Sequence, residues 1–234
     1  GNINRLYGIP DGRLGVIWNG VDRRPSAPLP DFIRRQRERG RTVIGCINTL
    51  IEQKVMFDLL EVAAHLKRQG LRDHVFLIAG DGHLRAPLEA RRDALDLGDD
   101  VIFLGWVQDA ARVMMEHIDI FFQPSLWEAM SMVLLEAIAA RRAIVATRVG
   151  ETPLVAQDGT SALLVDAADI GGMVTALQRL LADSGLRGRL GEAAVRRYEH
   201  DFTARAMAER YMTLYDAVLA RRSLLGRMTG SSIG

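Results

Sequence analysis

The chain has 234 residues, of which 48% are hydrophobic, and a formal net charge of +1. This length and composition allow a full hydrophobic core, which excludes a predominantly disordered protein. The balanced charge gives no electrostatic reason to expect nucleic acid as a partner. The sequence also contains no run of 18 apolar residues, so it predicts no membrane-spanning helix.

Cys46 is the single cysteine. One cysteine excludes an internal disulfide and a cysteine-ligated metal cluster, and it favours a reducing compartment. We therefore expect a cytoplasmic protein, either free or at the inner face of a membrane. Because the first residue is Gly1 and not Met, we also expect this chain to be a piece of a longer protein.

Short β-rich runs alternate with longer segments of helical periodicity. This pattern predicts an α/β fold with a Rossmann-like, doubly wound parallel sheet. Predicted strands cover residues 16–18, 42–47, 75–79, 101–104, 118–122 and 143–147. The last predicted helix carries an apolar stripe that includes Met207, Tyr211 and Val218. The predicted domain is 1–222, and residues 223–234 have no periodicity and are predicted to form a disordered tail.

Loops that follow these strands carry the polar and glycine residues. Thr49 and Lys54 follow the strand at 42–47. The strand at 75–79 is followed by Gly80, Asp81 and Gly82. Arg85 occupies the position of the third glycine in a dinucleotide-binding fingerprint, and this departure disfavours nicotinamide binding. Ligands on parallel sheets bind at the carboxyl ends of the strands, so we expect these loops to converge there.

The most informative stretch runs from residue 118 to residue 154. Glu128 lies in the loop after a strand, and Glu136 lies in the next helix with seven residues between them. Ser131 is a predicted N-cap, which leaves the backbone N–H groups of Met132 and Val133 pointing out of the helix start toward an anion. Two carboxylates with anion-binding backbone between them suit a nucleotide-diphosphate sugar. On spacing alone, two surface acids without a ligand remain the alternative.

The motif Pro124-Ser125-x-x-Glu128-x7-Glu136, followed by Gly150, resembles the E-x7-E motif of retaining glycosyltransferases of the GT-B fold, family 4. The resemblance covers residues 6–218. It implies that the chain is the C-terminal half of a GT-B fold, which binds the donor, and that the N-terminal acceptor domain is absent. No D-x-D pair occurs in the chain, so the resemblance implies a metal-independent enzyme without a cofactor.

The resemblance also implies roles for individual residues. Glu136 binds the ribose hydroxyls, Glu128 acts at the donor sugar as the catalytic residue, and Lys54 binds the diphosphate. The helix start at Ser131, Met132 and Val133 faces the phosphates. Gly80 and Gly82 lie beside the nucleotide, and the backbone at Val107 contacts the nucleobase. Thr49 departs from the family, because an arginine that grips the diphosphate is usual at its position and a hydroxyl cannot replace a guanidinium.

Three hypotheses remain open from the sequence. The chain is the donor-binding domain of a retaining glycosyltransferase, or half of a related GT-B enzyme such as a nucleotide-sugar epimerase, or a non-catalytic relative that serves as a binding or partner module. The E-x7-E motif disfavours the second hypothesis. Thr49 favours the third. A glycosidase, which also uses two carboxylates, would leave the anion-binding helix start without a role.

Overall fold

The structure is a computed structural model that describes residue 8 and residues 14–23, 25 and 27–229, with side chains described up to residue 220. Six parallel strands form one sheet in the order β3-β2-β1-β4-β5-β6. The strands are β1 (Thr42–Ile47), β2 (His74–Ala79), β3 (Val101–Gly105), β4 (Ile120–Gln123), β5 (Ala143–Thr147) and β6 (Leu163–Val165). This arrangement confirms the predicted Rossmann-like, doubly wound sheet.

Nine α-helices are found in the described part of the chain, together with a short 3-10 helix (Glu52–Lys54). They are α1 (Asp31–Glu38), α2 (Met56–Arg68), α3 (Arg85–Ala94), α4 (Ala110–Met114), α5 (Met132–Ala139), α6 (Thr152–Val155), α7 (Ile170–Ala182), α8 (Ser184–Asp201) and α9 (Ala204–Thr229). No helix among the described residues combines the length and the apolar character needed to cross a membrane.

Helices cover both faces of the sheet, which is why most residues of its strands are apolar. All six residues of β2 are buried. One core cluster joins the apolar stripe of α2, including Leu59 and Leu66, to α7. The cluster on the other face joins α5, including Leu134 and Ile138, to α8. The sheet is therefore packed between two helical layers.

The strand order reverses between β1 and β4. After β1 the chain winds outward through β2 and β3, and it then returns to pair β4 with the other edge of β1. At such a switch point the loops after the two central strands separate and leave a crevice at the carboxyl edge. Lys54 follows β1, and Glu128 follows β4.

The structure corrects three predicted elements. Residues 16–18 form no strand; Trp18 instead packs against Phe202, with ring centroids 5.8 Å apart. Strand β4 begins at Ile120 and not at residue 118, because the Asp119 carboxylate accepts a hydrogen bond from the backbone N–H of Val43 at 2.8 Å in place of a ladder bond. Helix α9 continues through Thr229, although residues 223–229 lack the apolar repeat that predicts helices; residues 230–234 lie outside the described residues.

Candidate functional site

The segment after β1 places Lys54. Thr49 is exposed at the carboxyl end of β1, and the 3-10 helix that follows ends with Val55 in a left-handed conformation at φ 49°. Helix α2 begins at Met56, directly after this sharp turn. Lys54 is one of only two lysines in the chain. Its side chain reaches across the switch point and not out into solvent.

Glycines allow the segment after β2 to pack on the segment after β1 through backbone alone. Gly80 has φ +136°, and a Cβ there would lie 1.7 Å from the carbonyl oxygen of Asn48. At Gly82 a Cβ would lie 2.4 Å from the carbonyl oxygen of Leu50. The backbone N–H of Leu50 donates to the carbonyl of Asp81 at 3.0 Å. These contacts set the width of the crevice on this side.

Glu128 and Lys54 form an ion pair across the switch point. The side chains are 9% and 17% exposed, respectively, so the pair is largely shielded from water. Ser125 Oγ donates to the same Glu128 oxygen at 2.7 Å. The backbone of Ser125 is in turn fixed because Thr147 Oγ1 donates to its carbonyl at 2.6 Å. This network holds the Glu128 carboxylate at the carboxyl ends of β1 and β4.

The N-terminus of α5 forms the next part of the site. Ser131 is the N-cap, as predicted, and its Oγ accepts from the backbone N–H of Leu134 at 3.3 Å. The same hydroxyl donates to Gln123 Oε1 at 3.0 Å. The Gln123 side chain is buried, and its Nε2 has no hydrogen-bond partner. The helix start therefore keeps its positive dipole end at the crevice, with a polar amide behind it.

A pocket of about 400 Å³ opens at the switch point. Five residues predicted from the sequence line it: Thr49, Gly80, Val107, Val133 and Glu136. Val133 and Glu136 are three residues apart and so share one face of α5. The pocket is in the size range of sites that hold small ligands and cofactors.

The other predicted site residues lie outside this pocket's lining. Lys54 is hydrogen-bonded to Glu128, and Ser131 to Gln123. Gly82 packs on the backbone of Leu50. Met132 directs its side chain outward and is 44% exposed. The structure thus separates the five pocket residues from the adjacent Lys54–Glu128 ion pair, and Ser131, Gly82 and Met132 belong to neither group.

The pocket wall is acidic. Asp81, Asp109 and Glu136 line it, and none of the described lining residues is basic. The backbone N–H of Gly82 and the guanidinium of Arg85 lower the pKa of Asp81 below its ordinary value. Carboxylates of this kind accept hydrogen bonds from ligand hydroxyl or amine groups. Positive charge beside the pocket comes from Lys54, which is paired with Glu128, and from the N-terminus of α5.

Sequence reasoning missed several members of the site. Asp109, Ala110 and Ala111 line the pocket from the start of α4. Their position after β3 was the available signal, because every element at this edge follows a strand end. Glu136 also lines a second cavity of about 40 Å³ that includes Asp22 and Arg23. Nothing in the local sequence around these two residues indicates that neighbourhood.

Within the part of the chain that the structure describes, no three His, Cys, Asp or Glu residues are grouped so that they could hold a metal ion.

Comparison with known proteins gives a family match. The model of the family "Glycosyl transferases group 1" matches residues 31–197. The lipopolysaccharide core biosynthesis glycosyltransferase LpsE of Rhizobium meliloti is 30% identical over 173 residues, which are 74% of this chain and 49% of that protein. The chain spans about half the length of such relatives.

Solved structures give the same fold at low sequence identity. A glycosyltransferase from Rickettsia africae superposes with a TM-score of 0.81 at 18% identity, over 93% of this chain and 61% of that one. HepE of Anabaena, in complex with UDP and glucose, gives a TM-score of 0.75 at 19% identity, over 86% of this chain and 56% of that one. The predicted fold is therefore that of part of known glycosyltransferase structures.

Proposed function

The chain belongs to the group 1 glycosyl transferases, and from this premise we propose that it is the donor-binding domain of a retaining glycosyltransferase. Its ligand is a nucleotide-diphosphate sugar, and the reaction transfers the sugar to an acceptor. We further propose that it is the C-terminal half of a GT-B enzyme of family 4. The acceptor then binds to an N-terminal domain outside this chain, so the chain alone has no transferase activity.

One observation carries this proposal. The pocket at the switch point has the Glu136 carboxylate in its wall, and the Lys54–Glu128 ion pair and the capped start of α5 lie next to it. A ligand with a diol at one end, a diphosphate in the middle and a sugar at the other end matches this order of groups. The diol pairs with a carboxylate, and the diphosphate pairs with a lysine and a helix dipole.

The proposed residue roles follow from this order. Glu136 accepts hydrogen bonds from the ribose hydroxyls, and Lys54 neutralises the diphosphate. Glu128, which Lys54 and Ser125 hold in place, orients the donor sugar and acts at the reacting carbon. Fixed donors that stabilise the negative charge of the departing diphosphate supply the main catalytic effect. The proposal assigns this work to Lys54 and to the N–H groups at the start of α5, without a metal ion or cofactor.

The relatives suggest a biological setting. LpsE is a lipopolysaccharide core biosynthesis glycosyltransferase, and the crystal structure of HepE is a complex with UDP and glucose. We propose for this chain a cytoplasmic enzyme that uses a nucleotide sugar, located either free or at the inner face of a membrane. Nucleic acid is not a partner in this proposal, since the net charge of the chain is +1.

A non-catalytic binding module is the second candidate, and Thr49 favours it. Thr49 lines the pocket at the position where an arginine is usual in the resembling family, and no described lining residue replaces that positive charge. Loss of one charged phosphate contact costs about 1.5–3 kcal/mol. A module of this kind binds nucleotide weakly and performs no transfer when the missing half is supplied.

Calorimetric titration of UDP, GDP and ADP into the chain tests the proposal. We expect one nucleotide to bind in a salt-sensitive manner, and Lys54→Ala to weaken its binding by roughly 10- to 100-fold. Lys67→Ala is the matched control, because Lys67 pairs with Asp96 and Asp100 and lies outside the pocket lining. Lys54→Ala also leaves the Glu128 carboxylate without its ion-pair partner. The double variant Lys54→Ala/Glu128→Gln therefore separates the loss of attraction between Lys54 and the diphosphate from the repulsion of the diphosphate by an unpaired carboxylate.

Two outcomes of this titration test the donor site. Wild-type nucleotide binding that Lys54→Ala weakens and Lys67→Ala retains supports the donor site. Equal affinity of all variants refutes the role of Lys54. Glu136→Ala should also weaken binding, because a ribose diol loses its acceptor; unchanged affinity contradicts the ribose role.

A further inference from the structure

Two anionic groups compete for the ammonium of Lys54. In the structure the ammonium is paired with Glu128, and the Lys54 and Glu128 side chains are 17% and 9% exposed. In the proposed function the same ammonium neutralises the diphosphate of the donor. No basic side chain stands among the described residues that line the pocket, so none of them can neutralise the diphosphate in place of Lys54. The diphosphate must therefore take Lys54 from Glu128 or share it.

Hydrogen bonds between the two loops preset the ion pair. The backbone N–H of Leu126 donates to the carbonyl of Gln53 at 2.8 Å. The side-chain amide of Gln53 donates to the carbonyl of Trp127 at 2.8 Å. These bonds join the two residues before Glu128 to the residue before Lys54, and they hold the two loops together. The ion pair is therefore built into the fold at the switch point, unlike a chance contact of two surface side chains.

Glu128 keeps a second partner when the lysine leaves. Ser125 Oγ donates at 2.7 Å to Glu128 Oε1, the same oxygen that Lys54 contacts. The described residues donate no hydrogen bond to the other oxygen, Oε2, and this atom is not one of the buried side-chain atoms without a partner. Oε2 therefore reaches the solvent and can accept a hydrogen bond from a ligand. The flexible stem of Lys54 lets its charge turn from Glu128 to a phosphate.

Turning Lys54 toward a diphosphate leaves the Glu128 carboxylate without its countercharge. This carboxylate is largely shielded from water, so solvent does not replace the lost partner. It also lies beside the anion that has taken the lysine, and like charges brought together in this way repel each other. Glu128 therefore opposes the binding of a diphosphate to Lys54.

Donor and product meet this opposition differently. The sugar of a nucleotide sugar has hydroxyl groups that can donate to Glu128 Oε2, and these bonds compensate the carboxylate for the lost lysine. The nucleotide diphosphate that remains after transfer has no sugar. Its terminal phosphate also gains up to one negative charge, because the last ionisation of a phosphate monoester has a pKa of about 6. Repulsion from Glu128 is therefore stronger for the product than for the donor.

We propose that the Lys54–Glu128 pair makes the site discriminate against its own product. Glu128 competes with the diphosphate for Lys54, and the ion pair that re-forms after transfer favours release of the nucleotide diphosphate. The donor is retained because its sugar satisfies Glu128. This inference rests on the proposed function, since it concerns the same donor site.

Titration of the chain with a nucleotide diphosphate and with the matching nucleotide sugar tests the competition. The probes are UDP with UDP-glucose, GDP with GDP-mannose, and ADP with ADP-glucose. We expect Glu128→Gln to tighten the binding of the nucleotide diphosphate by roughly tenfold, because an amide neither pairs with Lys54 nor repels the phosphates. The nucleotide sugar should gain less, because an amide accepts hydrogen bonds through one oxygen where a carboxylate has two.

Glu52→Gln is the matched control. Glu52 lies two residues before Lys54, pairs with His83 at 2.9 Å, and has a side chain that is 72% exposed. The variant removes the same charge close to the same lysine in the sequence, but water and salt screen this carboxylate. We expect it to change the affinity for either ligand by at most about twofold.

A double-mutant cycle separates competition from plain repulsion. In the Lys54→Ala background there is no lysine to compete for, so Glu128→Gln relieves only the repulsion between carboxylate and phosphates. Competition predicts that Glu128→Gln tightens binding more when Lys54 is present. Equal tightening in the two backgrounds overturns competition for Lys54. Equal tightening of the nucleotide diphosphate and the nucleotide sugar overturns the discrimination.

The remaining outcomes distinguish this proposal from the proposed function. Unchanged or weaker diphosphate affinity of Glu128→Gln overturns the competition, and the donor site still stands when the wild type binds nucleotide through Lys54. Absence of nucleotide binding by both the wild type and Glu128→Gln overturns the proposed function, and the competition falls with it.

Discussion

Gly80 provides the sharpest test of how the crevice is built. At this position the backbone φ is +136°, a conformation that side chains with a Cβ rarely adopt, and a Cβ would lie 1.7 Å from the carbonyl oxygen of Asn48. Contacts under 3.0 Å essentially never occur for a real Cβ. Gly80→Ala must therefore push the loops after β1 and β2 apart by at least 1.3 Å, the difference between these two distances.

Two costs add in this variant. A residue with a Cβ in a strained backbone region costs about 1–3 kcal/mol. Overpacking against backbone that cannot rotate away costs about another 1–3 kcal/mol. We expect Gly80→Ala to lower the free energy of unfolding by about 3–5 kcal/mol, which corresponds to a fall in melting temperature of about 10 °C for a domain of this size. Nucleotide affinity should fall as well, because the pocket wall moves.

Gly70→Ala is the matched control for the conformational cost. Gly70 also has a positive φ, at +81°, but a Cβ there meets nothing within 4 Å. We expect it to cost only about 1–2 kcal/mol and to leave nucleotide binding unchanged. Urea unfolding of the two variants and the wild type measures both values. Equal losses for Gly80→Ala and Gly70→Ala would refute the argument that close backbone approach is what requires glycine at position 80.

Two further predictions concern the start of α5 and the buried thiol. Ser131→Ala should lower the free energy of unfolding by about 1–2 kcal/mol and weaken nucleotide binding, because it removes the cap of α5 and the partner of Gln123. Asp169→Ala, which removes the cap of α7, should lower the free energy of unfolding by a similar amount without affecting nucleotide binding. An equal effect of the two variants on binding would count against the role of the α5 terminus. Burial raises the pKa of Cys46 to about 12 from an ordinary 9.0. Iodoacetamide at pH 8 should therefore label Cys46 only in denaturant, which mass spectrometry would detect. Rapid labelling of the folded chain would contradict the burial of the thiol. Because the folded pKa is the higher one, the thiol's contribution to stability is complete below pH 9 and is lost as the pH rises from 9 toward 12.

Local sequence pattern determined most of the elements and the place of the site along the chain. The apolar run at 143–147 matches β5 residue for residue, and Ser131 caps α5 as its neighbours predict. Both features depend on interactions within a few residues, which a sequence shows directly. The same patterns placed Thr49, Gly80 and Glu136 at strand ends or in the helix that follows. From there the general rule for parallel sheets brought them to one edge.

Only the tertiary structure decided which of these residues meet. Lys54 and Glu128 are 74 residues apart, and their ion pair forms because β1 and β4 are neighbours in the sheet. Trp106 follows an irregularity in β3, where Leu104 is an extra residue that is defined only by the register of β3 with β2. Strand order and register are set by packing across the whole domain. No local periodicity encodes them, because side chains alternate in the same way whichever strand lies next to them.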